Sequence, residues 1–211
     1  MAVSVSLPKL LGHSQGRPVL SGIAKEAVAP DRILRLTATN LEGDAQADLS
    51  VHGGPDKAVY AYPSEHLGPW SAELGQDLGP AAFGENLTTA GWLESDVCIG
   101  DRWTWGEAEL EVCQPRSPCF KLAIYRGDGA IGAKLKESGR SGWYLRVRRA
   151  GEVPAGGPIE VTYRHPMGAT VRLAHDAASP SHAVPSEVLE ALLAVEPLAD
   201  EWRLKLAARR W

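Results

Sequence analysis

Short apolar runs, interrupted again and again by glycine and proline, fill the chain from its start to about Glu160, the pattern of a small barrel or sandwich. Met1-Ala2-Val3-Ser4-Val5-Ser6-Leu7 alternates apolar and polar positions and meets Pro8, which predicts a strand rather than a secretory leader. Residues 33–38 and 58–62 read as strands, and 103–112 as two strands joined near Gly106-Glu107. Trp143, Leu145 and Val147 share one side of another strand and Tyr144, Arg146 and Arg148 the other. Residues 151–157 are rich in turn formers and precede a last strand over 159–163. The same stretch predicts one short helix over 64–74, with Ser64 as its cap and Pro69 limiting its length.

The pattern changes after Tyr163. Residues 164–185 are rich in His, Pro, Ala and Ser and read as a linker, with one short helix near 169–172. Pro185 suits the first position of a helix, and Val188, Leu189, Leu192 and Leu193 then form one apolar face. Pro197 ends that helix or opens the next, in which Leu198, Trp202 and Leu206 recur every four residues. The expectation is a mainly β domain over residues 1–163, then a linker and small helical domain over 164–211. Arg203, Lys205, Arg209 and Arg210 near the end complement the helix dipole on a solvated face, or form a docking surface for an acidic partner.

Charge and cysteine usage narrow the class. The 211 residues carry a net charge of -4, which argues against a general nucleic-acid binder but allows a local basic pocket for one small anion. No apolar stretch approaches the roughly 20 residues that span a bilayer. Cys98, Cys113 and Cys119 are odd in number and have no paired spacing, which fits a reducing, cytoplasmic setting.

The strongest chemical signal is Gln114-Pro115-Arg116-Ser117-Pro118-Cys119. Two prolines exclude helix and exclude a central strand, so the run predicts a stiff, irregular loop ending in a thiol. Arg116 and Lys121 flank Cys119, and cationic neighbours favour the nucleophilic, metal-binding thiolate. The plainer reading makes Cys119 a small buried apolar residue. Cys98 and Cys113, in apolar strand-like contexts, read as inert core.

Three more clusters have the right chemistry for a site. His52-Gly53-Gly54 with Lys57 can turn the backbone and hold an oxyanion, or can be a tight turn with a satisfied histidine. Glu85 and Asn86 can pair with the edges of a heterocycle, or Asn86 can bond its own loop. Arg140, flanked by Gly139 and Gly142, suits bidentate contact with a phosphate or carboxylate. Other chemistries lack their parts. There is no Walker A run, no Gly-x-Gly-x-x-Gly after a strand, no Gly-x-Ser-x-Gly elbow, no zinc-ligand spacing and no obvious Cys–His pair.

Six motifs occur in order: Gly43-Asp44-x-Gln46-Ala47-Asp48, His52-Gly53-Gly54-x-Asp56-Lys57-Ala58-Val59, Phe83-Gly84-Glu85-Asn86-Leu87-Thr88, Ile99-Gly100-Asp101, Gln114-Pro115-Arg116-x-Pro118-Cys119-x-Lys121 and Gly139-Arg140-x-Gly142-Trp143-Tyr144. Together they resemble the MOSC domain (molybdenum cofactor sulfurase C-terminal domain), in its stand-alone bacterial YiiM-like branch. The resemblance covers residues 43–156 by motif, and the final segment resembles the small three-helix domain that follows in that branch.

The resemblance implies a β-barrel-like domain that binds the molybdenum cofactor, with Cys119 as the protein ligand of molybdenum. A thiolate is the matching soft donor for a metal already held by dithiolene sulfur. Lys57, Arg116, Lys121 and Arg140 become candidates for the pterin phosphate, with Gly53 and Gly54 alongside. Asn86, Glu85 and Asp48 become candidates for the pterin edge. The family also implies reduction of N-hydroxylated compounds such as 6-hydroxylaminopurine, the N–O oxygen passing to reduced molybdenum, with His52 and Asp48 as candidate proton donors. A family-level association with pyridoxal phosphate comes with it. The chain has no flavin, haem or iron–sulfur motif, so the resemblance implies a separate electron-donating reductase; a homodimer is compatible with it, and no nucleic-acid or membrane partner is expected. The rival reading is a non-enzymatic carrier of cofactor or sulfur that uses Cys119.

Overall fold

A computed structural model of the chain describes residues 1–49 and 52–210, the side chain of Arg210 excepted. Ser50 and Val51 of the candidate glycine turn, and the Arg210 side chain of the basic helix end, therefore lie outside the described residues.

Among the described residues, twelve strands precede residue 164: β1 (Ala2–Val5), β2 (Lys9–Ser14), β3 (Arg17–Ser21), β4 (Glu26–Ala27), β5 (Ile33–Leu36), β6 (Val59–Pro63), β7 (Leu87–Thr89), β8 (Arg102–Trp105), β9 (Ala108–Pro115), β10 (Trp143–Arg149), β11 (Gly151–Pro154) and β12 (Glu160–Tyr163). Eight of them form one curled, barrel-like mixed sheet in the order β12-β8-β9-β10-β6-β7-β1-β4. Only β6 and β7 run parallel within it. β5 pairs with β11, and β2 with β3, as separate two-stranded ribbons.

Alternation along the central strands explains how both faces are buried. Val59 and Ala61 of β6 join Trp103, Trp105, Trp143 and Leu145 in the main core. Tyr60 and Tyr62, one residue out of phase, face a second cluster with Trp70, Phe83, Leu122 and Leu135. Three helices cover that second face: α1 (Leu67–Leu74), α2 (Phe120–Arg126) and α3 (Ile131–Ser138).

Three helices follow the last strand: α4 (Val171–Ala178), α5 (Ser186–Leu193) and α6 (Asp200–Ala207). Thr170 caps α4, its Oγ1 accepting from the Leu173 N–H at 3.0 Å. Leu189, Leu192, Leu198, Trp202 and Leu206 are buried in the same continuous core as the strand tryptophans. The helices thus seal one side of the barrel-like sheet and share its hydrophobic interior.

The structure departs from the sequence expectations in several places. Residues 171–178, read as linker beyond a short helix near 169–172, form the two-turn helix α4. Gly151–Pro154 is a strand, not a turn, because an edge ribbon against β5 tolerates its glycine and proline. Helices α2 and α3 were unpredicted, their two turns each being too short to show a period. Ser64 opens a single 3-10 turn and its hydroxyl caps nothing. Finally, Gln114 and Pro115 close a central strand, Pro115 pairing with Trp143 at the last rung, where the missing N–H interrupts no further ladder.

Candidate functional site

At the end of β9 the chain leaves the sheet through the proline loop. The Arg116 N–H still donates to the Gly142 carbonyl at 3.1 Å. Ser117 and Pro118 then carry the backbone to Cys119, which stands in extended geometry immediately before α2. The thiol is partly buried. Burial alone would raise its pKa. The His52 hydrogen bond, the Lys121 backbone N–H and the Arg116 charge outweigh burial and bring it from 9.0 to about 7.

His52 reaches Cys119 from the glycine turn. Its N–H donates to the Asp48 carbonyl at 3.0 Å. Gly53 follows at φ +88°, where a Cβ would stand 2.9 Å from Gln46 Oε1 and 3.2 Å from Leu49 Cδ2. The turn is tied to β9 as well. The Asp56 carbonyl accepts from Gln114 Nε2 at 2.9 Å and from Cys113 Sγ at 3.2 Å. The two segments that carry histidine and thiol are therefore anchored to the same strand.

A cleft of about 700 Å3, its open mouth included, lies between these segments and the Asn86 loop. Lys25, Lys57, Arg116 and Lys121 line it, against Asp44 as the lining carboxylate. Asp44 is already engaged: it ion-pairs Lys25 and accepts from the Ser6 N–H at 2.9 Å and from Asn86 Nδ2 at 3.0 Å. An acidic chain has therefore built a net-positive cleft. Burial pushes the Lys25 pKa down, and Asp44 opposes that shift. Arg116 is 4% exposed and lies over the Tyr60 ring at 5.3 Å. Its Nη1, His52 Nδ1 and Gln46 Oε1 are buried with no hydrogen-bond partner among the described residues.

A MOSC domain model matches residues 48–160. The chain belongs to the MOSC family. Its relatives include YflK of Bacillus subtilis (strain 168), 37% identical over all of this chain and 93% of that protein. YiiM of Escherichia coli (strain K12) is 43% identical over 77% of this chain and 72% of its own length. The crystal structure of YiiM from Geobacillus stearothermophilus superimposes with a TM-score of 0.79 at 28% identity, covering 99% of this chain and 96% of that one. A protein named "Reductase" from Gibberella moniliformis (strain M3125 / FGSC 7600) matches at 38% identity over 61% of this chain, which is 23% of that larger protein.

Within this MOSC domain, the residues singled out from sequence separate into two groups. Cys119, His52, Gly53, Lys57, Asn86, Arg116 and Lys121 all line the cleft. Gly54 shapes the turn without lining it. Asp48 is exposed and serves the turn through its backbone carbonyl. Glu85 is fully buried, and its oxygens accept from the Ala81 and Phe83 N–H groups and the Thr88 hydroxyl at 2.8–3.0 Å. It braces its own loop and has no edge left for a heterocycle. Arg140 stands outside the cleft, stacked 3.9 Å from the Trp70 ring centre and paired with Glu73 at 2.9 Å. The Cys–His pair that the sequence does not display is made by the fold, His52 with Cys119.

Lys25, Tyr60 and Tyr144 are cleft residues that sequence reasoning missed. Lys25 follows no motif and precedes a two-residue strand, so nothing in its neighbourhood points to a site. Tyr60 and Tyr144 read as ordinary strand residues, and only the pairing of β6 with β10 sets them opposite each other.

The donor set discriminates among metals. Among the described residues no group of three or more His, Cys, Asp and Glu side chains could hold an ion. One low-pKa thiolate in a basic, partly dry cleft instead suits a metal that arrives with most of its ligands on an anionic carrier. The unpartnered Arg116 Nη1 and His52 Nδ1 are the buried groups such a carrier would satisfy.

Proposed function

We propose that this MOSC protein is a molybdenum-cofactor-dependent reductase of N-hydroxylated compounds such as 6-hydroxylaminopurine. The observation that carries the reading is the Cys119 thiolate, held by His52 in a cleft whose cations outnumber its carboxylates. The family and the reductase-named relative support it. Bound molybdenum would supply the two-electron chemistry that removes the oxygen of an N–O bond.

The residues of this chain have separate tasks. Cys119 would ligate the metal as thiolate, and His52 would keep it ionised at neutral pH. Arg116, Lys57, Lys121 and Lys25 would neutralise the phosphate and the carrier's charge in a site where a buried anion otherwise has no counter-charge. Asn86 is fixed by Asp44 and by the Tyr60 N–H, which it accepts at 3.1 Å, and orients the wall opposite the thiol. Of the two candidate proton donors, His52 lines the cleft and Asp48 does not. The electrons would come from a separate reductase, and the substrate is a small molecule.

The test is metal content measured together with 6-hydroxylaminopurine reduction by artificial donors, on protein from a host that makes the cofactor. Near-stoichiometric molybdenum with turnover is the expected result. Bound metal without turnover would favour the carrier reading, and absence of metal from protein made in that host would refute both.

A further inference from the structure

The cleft is walled on one side by the glycine turn and on the other by the proline loop, and neither is part of the helical segment at the chain end. Yet one turn of α6 touches both. Glu201 Oε2 pairs with Lys57 Nζ at 2.7 Å. Lys205 Nζ donates to Ser117 Oγ at 2.9 Å. Glu201 Oε1 and Lys205 Nζ, four residues apart, pair with each other at 2.6 Å. A continuous chain of polar contacts therefore runs from the turn, across the helix, to the loop two residues before Cys119.

The helix that carries this chain is itself held rigidly. The Ala199 N–H, immediately before α6, donates to the Cys113 carbonyl of β9 at 3.0 Å. Trp202 and Leu206 on its inner side are buried in the shared core. The Arg203 guanidinium donates to the Val195 and Leu198 carbonyls at 3.0 and 3.3 Å, which fixes α6 against the end of α5. The outer Glu201 and Lys205 side chains are partly exposed, at about 40% each.

We infer that Glu201 and Lys205 are positioning residues of the cleft: α6 sets the distance and register between the His52 turn and the Cys119 loop through Lys57 and Ser117. Partly exposed ion pairs of this kind contribute little to global stability. Their effect is local, because they tie the glycine-shaped turn and the proline-shaped loop to one rigid helix through Lys57 and Ser117. What the positioned cleft is for rests on the reductase reading, but the contacts and their test do not need bound cofactor.

The measurement is the rate of Cys119 alkylation by iodoacetamide at pH 7 in the cofactor-free full-length protein, with the modified residue located by mass spectrometry. Glu201→Gln and Lys205→Met should each slow alkylation about threefold or more, because His52 and the thiol lose their register. The double variant should be no slower than the slower single, since both act through one connection. Lys205→Arg, which keeps a donor for Ser117 and a partner for Glu201, should restore the rate, while melting temperatures stay within a few degrees of wild type. Unchanged or faster alkylation in both single variants would overturn the inference. So would additive slowing, or slowing that follows a comparable loss of melting temperature. Failure of the reductase reading, seen as absence of molybdenum or turnover, would leave all these rates as they are.

Discussion

Cys113 and Cys119 belong to the same stretch of chain, yet the fold treats them oppositely. Cys113 lies inside β9, fully buried, with its sulfur facing the Asp56 and Tyr144 carbonyls at 3.2 and 3.5 Å. Burial pushes that thiol far up, and the nearby Arg146 offsets only part of the shift. Cys119 sits just past the proline loop, where a histidine, a backbone N–H and an arginine face it. The difference is how far burial is opposed. At Cys113 full burial outweighs the Arg146 charge and backbone N–H, whereas at Cys119 the histidine, N–H and arginine together outweigh a partial burial.

The largest effect expected follows directly. Cys119→Ser should abolish molybdenum retention and reductase activity, while Cys113→Ser keeps both, because a serine hydroxyl can still donate to the Asp56 carbonyl. Metal analysis and turnover of the two variants side by side check this. An active, metal-replete Cys119→Ser protein would erase the distinction between the two thiols.

The next effect is on pH dependence. Alkylation of Cys119 in cofactor-free protein should rise with a midpoint at about pH 7, and Cys113 should stay unmodified until the protein unfolds. The same ionisation is linked to stability. The folded thiol releases its proton near pH 7 and the unfolded one near 9.0, so the native state binds fewer protons between these values. Its stabilising contribution is complete above the unfolded value and is lost as pH falls through about 7. Urea melts at pH 7 and pH 9 should show wild type gaining on Cys119→Ser across that window. A constant difference between them would show that the thiol is not ionised early.

How far was this contrast legible in the sequence? Pro115, Pro118 and the cations around Cys119 already mark a stiff loop with an ionisable thiol, since those are local properties. The strand pattern around Trp103, Leu110 and Trp143 also follows from alternation, and the last helices from the four-residue spacing of Leu198, Trp202 and Leu206. What stayed hidden is set by long-range pairing. His52 meets Cys119 only because Asp56 docks on Gln114 and Cys113. Lys25 enters the cleft only because Asp44 holds it there. Glu85 looked available for a ligand because its bonds to its own loop need φ/ψ values that no spacing reveals.

A smaller effect tests the histidine's share. His52→Gln keeps a donor but removes the imidazole ring from the thiol. It should raise the Cys119 midpoint from about 7, with the Lys121 N–H and Arg116 still opposing burial. Alkylation profiles of the variant and wild type give the shift directly. An unmoved midpoint would assign the whole depression to the backbone and Arg116.

The smallest effect separates two arginines that look alike in sequence, each next to a proline or glycine and each stacked on an aromatic ring. Arg116 lies over Tyr60 inside the cleft, and Arg140 over Trp70 outside it. Arg116→Gln should raise the Cys119 midpoint and weaken anion binding, since it removes a buried charge that acts on the thiolate. Arg140→Gln should leave both unchanged. Its loss costs only the stacking on Trp70 and a partly exposed pair with Glu73, about 1 kcal/mol of stability, readable in a urea melt. A thiol midpoint that moves on Arg140→Gln would bring that arginine into the electrostatic field of the site and return it to the place its motif suggested.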